Sequence, residues 1–264
     1  MIHLFPERAI ALTIGTFSIH WYGIMYLLGF LIGAWLLKKL QHYRHLSLSD
    51  DEQSSLVVHI ILGVLIGGRL GYVLLYEPLT YLKNPLEILA VWHGGMASHG
   101  GFIGVGLALV MFCTKKKISI WKVLDVIVVP VAIGLALGRL GNFINGELYG
   151  TVTTQPWGMQ FPSVVGVRHP TQIYAIFKDL TIAITCYYHL KLTAKKHTAG
   201  FTTALFLTMY GCLRFIVEIF REQPFGFFTV GPISLSYGQM YTLPIILIGI
   251  GLWIYRKRST NHEL

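Results

Sequence analysis

VLDVIVVPVAIGLALGRLGNFINGELYG, residues 123–150, decides the reading of this chain. An apolar run interrupted by Pro130 carries Arg139 near its far end, followed by Asn142, Asn145 and Glu147. An arginine at the centre of a membrane helix costs roughly 2.5 to 3.5 kcal/mol on insertion scales. Such residues face a bundle interior, a water-filled cavity or a polar ligand. The remaining sequence chooses among these.

Working outward, six more segments share the apolar character of 123–146: residues 18–37, 55–76, 98–114, 172–190, 200–219 and 237–255. Most reach the roughly 17 to 25 residues that a helix needs to cross a hydrocarbon core. Hydrophobic residues make up 54% of the 264 and charged residues 12%, against about 25% charged in a soluble domain. The expected fold is an all-α polytopic membrane protein, a bundle of about seven transmembrane helices forming one domain over residues 1–264. The segment 98–114 is short unless it starts nearer Gly94, and 172–190 carries Lys178 and Asp179, so six helices is the fallback. Residues 149–170 contain Pro156, Pro162 and Pro170 with several glycines, and are expected to be an outward-facing loop or small cap. Ile10 to Phe17 alternates imperfectly and suggests a short outer element. No repeat or low-complexity linker divides the chain.

The first apolar segment lacks a basic leader and a small-residue cleavage site, so it is expected to be retained. Cys113, Cys186 and Cys212 all lie in or beside apolar segments, odd in number and without metal spacing, and read as packing residues. The net charge of +9 raises nucleic acid as a partner, but its distribution excludes that reading. Lys38, Lys39 and Arg44, Lys115, Lys116, Lys117 and Lys122, Lys191, Lys195 and Lys196, and Arg256, Lys257 and Arg258 fall on one side. The other side holds only Arg8, Lys83, Arg168 and Arg221. By the positive-inside bias, the N-terminus is outside and the C-terminus cytoplasmic.

Helix direction then fixes depth. At 1.5 Å per residue, Arg69 lies about 21 Å from a start at Ser55, Arg139 about 25 Å from Lys122 and Arg214 about 21 Å from Gly200. His99, in GGMASHGG, sits near the outer start of the third helix, so four polar groups share one level. Each has a structural reading. Arg69 can snorkel or pair, Arg214 can neutralise Glu218 four residues on, Arg139 can knot with Asn142 at i+3, and His99 can be a satisfied core histidine. Gly67, Gly68, Gly134 and Gly138 read as helix-packing residues. Trp21, Tyr22, Trp92 and Trp157 fit an interfacial aromatic belt, with Tyr22 retained as a site candidate.

Two guanidiniums at one level suit an anion, because the planar fork matches phosphate oxygens and stays charged when partly buried. The natural anion at that depth is a phospholipid head group, whose acyl chains would lie between helices. His99 is the candidate general base, since histidine changes charge within the physiological range. A transporter or channel with an arginine-lined anion site is the competing class, and a structural scaffold the third.

GRLGNFINGELYG at 138–150 resembles the signature of the bacterial prolipoprotein diacylglyceryl transferase family. The resemblance continues through HWYGIMYLLGF at 20–30, GGRLGYVLLY at 67–76, the His99 segment, RHPTQIY at 168–174 and GCLRFIVEIFR at 211–221, in order over nearly the whole chain. It implies transfer of the diacylglyceryl group of phosphatidylglycerol to the lipobox cysteine of a prolipoprotein signal peptide in the bacterial inner membrane, leaving glycerol phosphate. It assigns activity or lipid binding to Tyr22, His99, Arg139, Asn142, Glu147, Gly150, Arg214 and Glu218, with Arg139 on the lipid phosphate. His99, Arg139 and Arg214 are the expected catalytic set, and Arg139, Tyr22, Asn142, Asn145, Glu147, Gly150 and Glu218 the expected substrate-binding set. The expected partners are the lipid, the signal peptide and the bilayer; no cofactor or metal is expected. Ala175 follows RHPTQIY where many relatives carry glutamate, and His93 precedes Gly94 where an acid is common.

Overall fold

A computed structural model describes residues 9–90, 94–162, 164–195, 199–223, 226–230 and 232–262. Its long helices are α1 (Trp21–Leu40), α2 (Asp50–Leu75), α4 (Ser98–Lys116), α5 (Ile120–Asn145), α6 (Thr171–Leu192), α7 (Phe201–Glu218) and α8 (Tyr237–His262), with a short α3 (Pro78–Lys83) between α2 and α4. All seven expected helices are therefore present. Five of them, α1, α2, α5, α7 and α8, are long and apolar enough to cross a membrane. The other two are the segments that the sequence marks as short or charge-bearing. Exposed side chains such as Leu27, Leu31 and Trp35 on α1 and Leu247 and Ile248 on α8 give these helices the apolar outer surface that a membrane span requires. The chain is a multi-pass membrane protein.

Three two-stranded antiparallel hairpins accompany the helices: β1 (Ile10–Ile14) with β2 (Phe17–His20), β3 (Met159–Gln160) with β4 (Val167–Arg168), and β5 (Phe227–Val230) with β6 (Ile233–Ser236). The first is the short element expected near the N-terminus. The second lies in the irregular stretch 149–170, which contains no helix among its described residues. The third was not anticipated. Arg8, Trp92, His93 and Lys196, used above, lie outside the described residues.

Several boundaries differ from expectation for local reasons. α2 begins at Asp50 rather than near Ser55, because Ser49 caps it: its hydroxyl accepts from Glu52 N at 3.2 Å while its own N–H donates to the Glu52 carboxylate at 3.0 Å. This reciprocal box satisfies two orphan donors, and three acidic residues in the first turn complement the helix dipole. Arg69 then lies about 28 Å along α2. Pro130 does not break α5, which runs through it.

The chain forms two compact units, one of Met1–His45 with Leu124–Leu264 and one of Leu46–Val123. In the smaller unit α2 and α4 meet along glycines. A Cβ on Gly71 would stand 2.7 Å from Gly100 Cα, and one on Gly67 would stand 2.8 Å from Gly104 Cα, so only glycine admits this approach. Arg69 is 4% exposed and binds backbone: it donates to the carbonyls of Glu87, Ile88, Ala90, Gly94 and Gly95, pinning the segment between α3 and α4. Its role is the structural one.

In the larger unit Gly29 of α1 packs against Gly134 of α5, and Gly211 of α7 against Thr242 and Ile246 of α8. Gly138, expected to serve packing, has nothing within 4 Å of where a Cβ would stand. Arg44 corrects the charge reading more sharply. Counted above as a loop cation, it is 3% exposed and its Nε donates to Asp125 at 2.7 Å. Asp125, wholly buried, also accepts from Gly200 N, Thr203 N and Thr203 Oγ1, while Arg44 reaches Thr193 Oγ1 and Thr202 Oγ1. A buried ion pair offsets its desolvation only when such further hydrogen bonds complete it.

Candidate functional site

The site belongs to the larger unit and forms where the C-terminal ends of α5 and α7 meet the N-terminal end of α6. α5 stops at Asn145 because Gly146 and Leu148 adopt positive φ, +72° and +58°. Glycine takes that region freely; leucine does so at some cost, and only where surrounding contacts impose it. They do here. Glu147 N donates to Asn142 O at 2.9 Å, Gln172 Nε2 donates to Glu147 O at 2.6 Å and Thr171 Oγ1 donates to Leu148 O at 2.8 Å, tying the turn to the start of α6.

That turn carries a relay of the expected residues. Arg139 NH1 donates to Asn142 Oδ1 at 3.4 Å, one helical turn along the same face of α5. Asn142 Nδ2 donates to the Tyr22 hydroxyl at the start of α1, Tyr22 donates onward to Glu147 Oε2 at 3.4 Å, and Asn145 Nδ2 donates to Glu147 Oε1 at 3.1 Å. Asn142 is buried, Tyr22 and Arg139 partly so, and Glu147 is exposed. The carboxylate thus orients two donors, while the arginine keeps most of its fork available.

Gly150 closes the turn. Its N–H donates to His169 O at 2.8 Å, Thr151 N donates to Phe220 O at 3.0 Å, and Gly150 bridges Arg221 in antiparallel fashion. No Cβ fits there: it would stand 2.7 Å from Thr171 Cγ2 and 2.8 Å from His169 Cβ. Gly150 therefore holds three segments together and offers a ligand only backbone.

The second arginine comes from α7. Arg214 NH2 lies 2.5 Å from Glu218 Oε2, one turn on, so the self-neutralising pair read from the sequence is present. Glu218 is 4% exposed and also takes Arg221 NH1 and Gln223 Nε2, both at 3.3 Å. Its carboxylate presses on Gly238 in the first turn of α8, where the helix dipole favours negative charge. Arg214 is in Coulombic reach of Arg139, and both are in reach of Lys178 and Asp179 on α6.

In the sequence Lys178 and Asp179 stand out only as charges on the fifth helix. They form a buried ion pair, and the Lys178 ammonium lies 4.3 Å from the centre of the Tyr210 ring, one turn below Arg214 on α7. Arg221, three residues after Glu218, and Gln172, inside RHPTQIY, are further members of the site that the sequence reading does not single out. The i+3 spacing of Arg221 from a glutamate is a readable signal; for Gln172 the signal is its place in RHPTQIY, one of the segments that carry the resemblance. His99 lies on the other unit, second residue of α4 and exposed. The structure thus groups Tyr22, Arg139, Asn142, Asn145, Glu147, Gly150, Arg214 and Glu218 in one unit.

A family model described as prolipoprotein diacylglyceryl transferase matches residues 9–255. Proteins named phosphatidylglycerol–prolipoprotein diacylglyceryl transferase are similar throughout. One from Bordetella parapertussis is 43% identical over 257 residues, 96% of each chain. One from Wolbachia pipientis of Culex pipiens is 42% identical over 247 residues, 92% of each chain. A third, from Legionella pneumophila strain Paris, is 43% identical over 252 residues, covering 92% of this chain and 95% of its own. The chain belongs to the prolipoprotein diacylglyceryl transferase family.

Proposed function

We propose that this protein transfers the diacylglyceryl group of phosphatidylglycerol to the lipobox cysteine thiol of a prolipoprotein, the first step of bacterial lipoprotein maturation. The observation that carries the reading is the charge of the α5–α6–α7 site. Arg139, Lys178, Arg214 and Arg221 stand with Glu147, Asp179 and Glu218, leaving one positive charge over. One phosphodiester balances it. Arg139 and Arg214 bind that phosphodiester, Asn142 and Tyr22 hold Arg139 in line, and Glu218 holds Arg214.

In the reaction the cysteine sulfur attacks the glyceryl carbon that bears the phosphate. The carbon–sulfur bond forms, the carbon–oxygen bond breaks with its electrons, and glycerol phosphate departs; the thiol proton passes to a base. A free thiol is only a few per cent ionised at neutral pH, so the base matters. The arginines stabilise charge growing on the leaving phosphate, as preorganised donors do at a developing anion. His99 takes the base role on its chemistry and on the family resemblance alone. The protein works in the inner membrane, N-terminus outside and C-terminus cytoplasmic, on a lipid drawn from the bilayer. The transporter alternative has no support, since the relatives bear a transferase name.

Purified protein with labelled phosphatidylglycerol and a lipobox peptide tests the reading: a thioether-linked product is expected. Arg139→Ala should insert normally and make none. Full activity in that variant would remove the phosphate-binding role.

A further inference from the structure

Two buried acceptors beside Glu147 have no donor among the described residues: Oε1 of Gln172, which is 1% exposed, and Oδ1 of Asn145. Their amides cannot be turned over. Gln172 Nε2 donates to the Glu147 carbonyl at 2.6 Å and Asn145 Nδ2 to the Glu147 carboxylate at 3.1 Å. Both partners only accept, so the nitrogens are fixed and the two oxygens are left asking for a donor. A buried polar atom without its partner forfeits its hydration with nothing in return, so the arrangement calls for a ligand rich in O–H or N–H.

We infer that Gln172, with Asn145, forms the subsite for the hydroxyls of the lipid's glycerol head group, and that Gln172 sets head-group preference. This rests on the transfer reaction proposed above. The order of groups along the helices fits a lipid lying lengthwise. Measured from the ends that α5, α6 and α7 share, Lys178, Asp179 and Tyr210 lie about 10 to 12 Å in, Arg139 and Arg214 about 6 to 9 Å, and Gln172 about 1.5 Å. A phosphate on the arginines therefore puts its diacylglycerol deeper and its head group outward, at Gln172 and Asn145. Phosphate oxygens only accept and choline has no donor. An ethanolamine ammonium has donors, but would restore the positive excess that the phosphodiester balances. The two glycerol hydroxyls supply donors without charge.

The experiment compares phosphatidylglycerol with lipids whose head group is propane-1,3-diol or propane-1,2-diol, each lacking one hydroxyl. The lost hydroxyl is bonded neither to phosphorus nor to the carbon attacked, so the chemistry of departure changes little. With the unaltered protein and a lipobox peptide, kcat/KM is expected to fall about tenfold or more for at least one analogue, as for sites that hydrogen-bond a substrate hydroxyl. Gln172→Met should lower turnover of phosphatidylglycerol and bring the ratio between the lipids towards one. A merely structural glutamine would lower turnover of all lipids equally and leave the ratio alone. Gln172→Asn, which keeps the amide but draws its oxygen back by a methylene, should reduce the ratio part-way and provides the test if Gln172→Met does not insert. Equal turnover of all three lipids by the unaltered protein, or an undiminished ratio in the Gln172 variants, overturns the inference while thioether formation stands. Absence of thioether from every lipid would instead overturn the reaction itself.

Discussion

Gly150→Ala is the smallest change that probes how the site is held. The φ of Gly150 lies outside the left-handed region, so space and not torsion excludes a side chain. The new Cβ would stand 2.7 Å from Thr171 Cγ2, 2.8 Å from His169 Cβ and closer still to Phe220 O. Ordinary carbon contacts are about 3.5 to 4.0 Å, so each wall must retreat by at least about 0.7 Å. Overpacking of this kind costs about 1 to 3 kcal/mol. The retreat also pulls on the bonds from Gly150 N to His169 O and Thr151 N to Phe220 O, worth about 1 kcal/mol each. The expected loss of stability is about 2 to 4 kcal/mol. Function should suffer more, because the same turn places Glu147 against Tyr22 and Asn145, and a displacement near 1 Å costs on the order of a hundredfold in rate. Thermal unfolding in detergent and transfer to a lipobox peptide are the assays. A variant that melts and turns over like the unaltered protein would refute the reasoning; one that melts early yet keeps its rate would show that the turn does not position the site.

Three more outcomes are expected. Tyr22→Phe removes the hydroxyl that accepts from Asn142 and donates to Glu147, leaving a buried amide unsatisfied at about 1 to 3 kcal/mol; melting should fall by roughly 2 to 10 °C, and kcat/KM should drop roughly tenfold to a hundredfold as Asn142 and Glu147 lose their common partner. Arg44→Met strands the buried Asp125 carboxylate and should cost about 3 to 5 kcal/mol, part of which Asp125→Asn restores in the double variant, while the KM for lipid stays put. His99→Gln, if His99 is the base that takes the thiol proton, should lower kcat/KM for transfer by about a hundredfold or more while melting stays put; near-normal turnover would move the base role to another group.

Helix number was readable because charge-free runs of spanning length are hard to place anywhere but in a membrane. α2 starts earlier than its apolar run for an equally physical reason: Asp50, Asp51 and Glu52 look like loop by composition, yet negative charge is what a helix N-terminus favours, and Ser49 with Glu52 is a legible cap. Arg139, Arg214 and Glu218 could be singled out because an isolated charge in an apolar run demands an explanation. The Arg44–Asp125 bond joins residues 81 apart in sequence, and nothing local announces it. Neighbours at i and i+1 point to different sides of a helix, so Lys178 and Asp179 do not read as a pair; the long lysine stem closes the gap.

The membrane arginines therefore have two different explanations in one chain, and the difference lies in their acceptors. Arg69 is consumed by five backbone carbonyls, and Arg44 by a carboxylate and threonine hydroxyls, so neither has a fork to offer. Arg139 gives one long bond to Asn142, and Arg214 shares the Glu218 carboxylate with Arg221 and Gln223. Distance along the helix cannot separate these cases, since Arg69 and Arg139 each stand about 28 Å from the start of their own helix. The count of committed acceptors does separate them. It leaves Arg139 and Arg214 with the fewest committed acceptors of the four, which is what the proposed phosphate site asks of them.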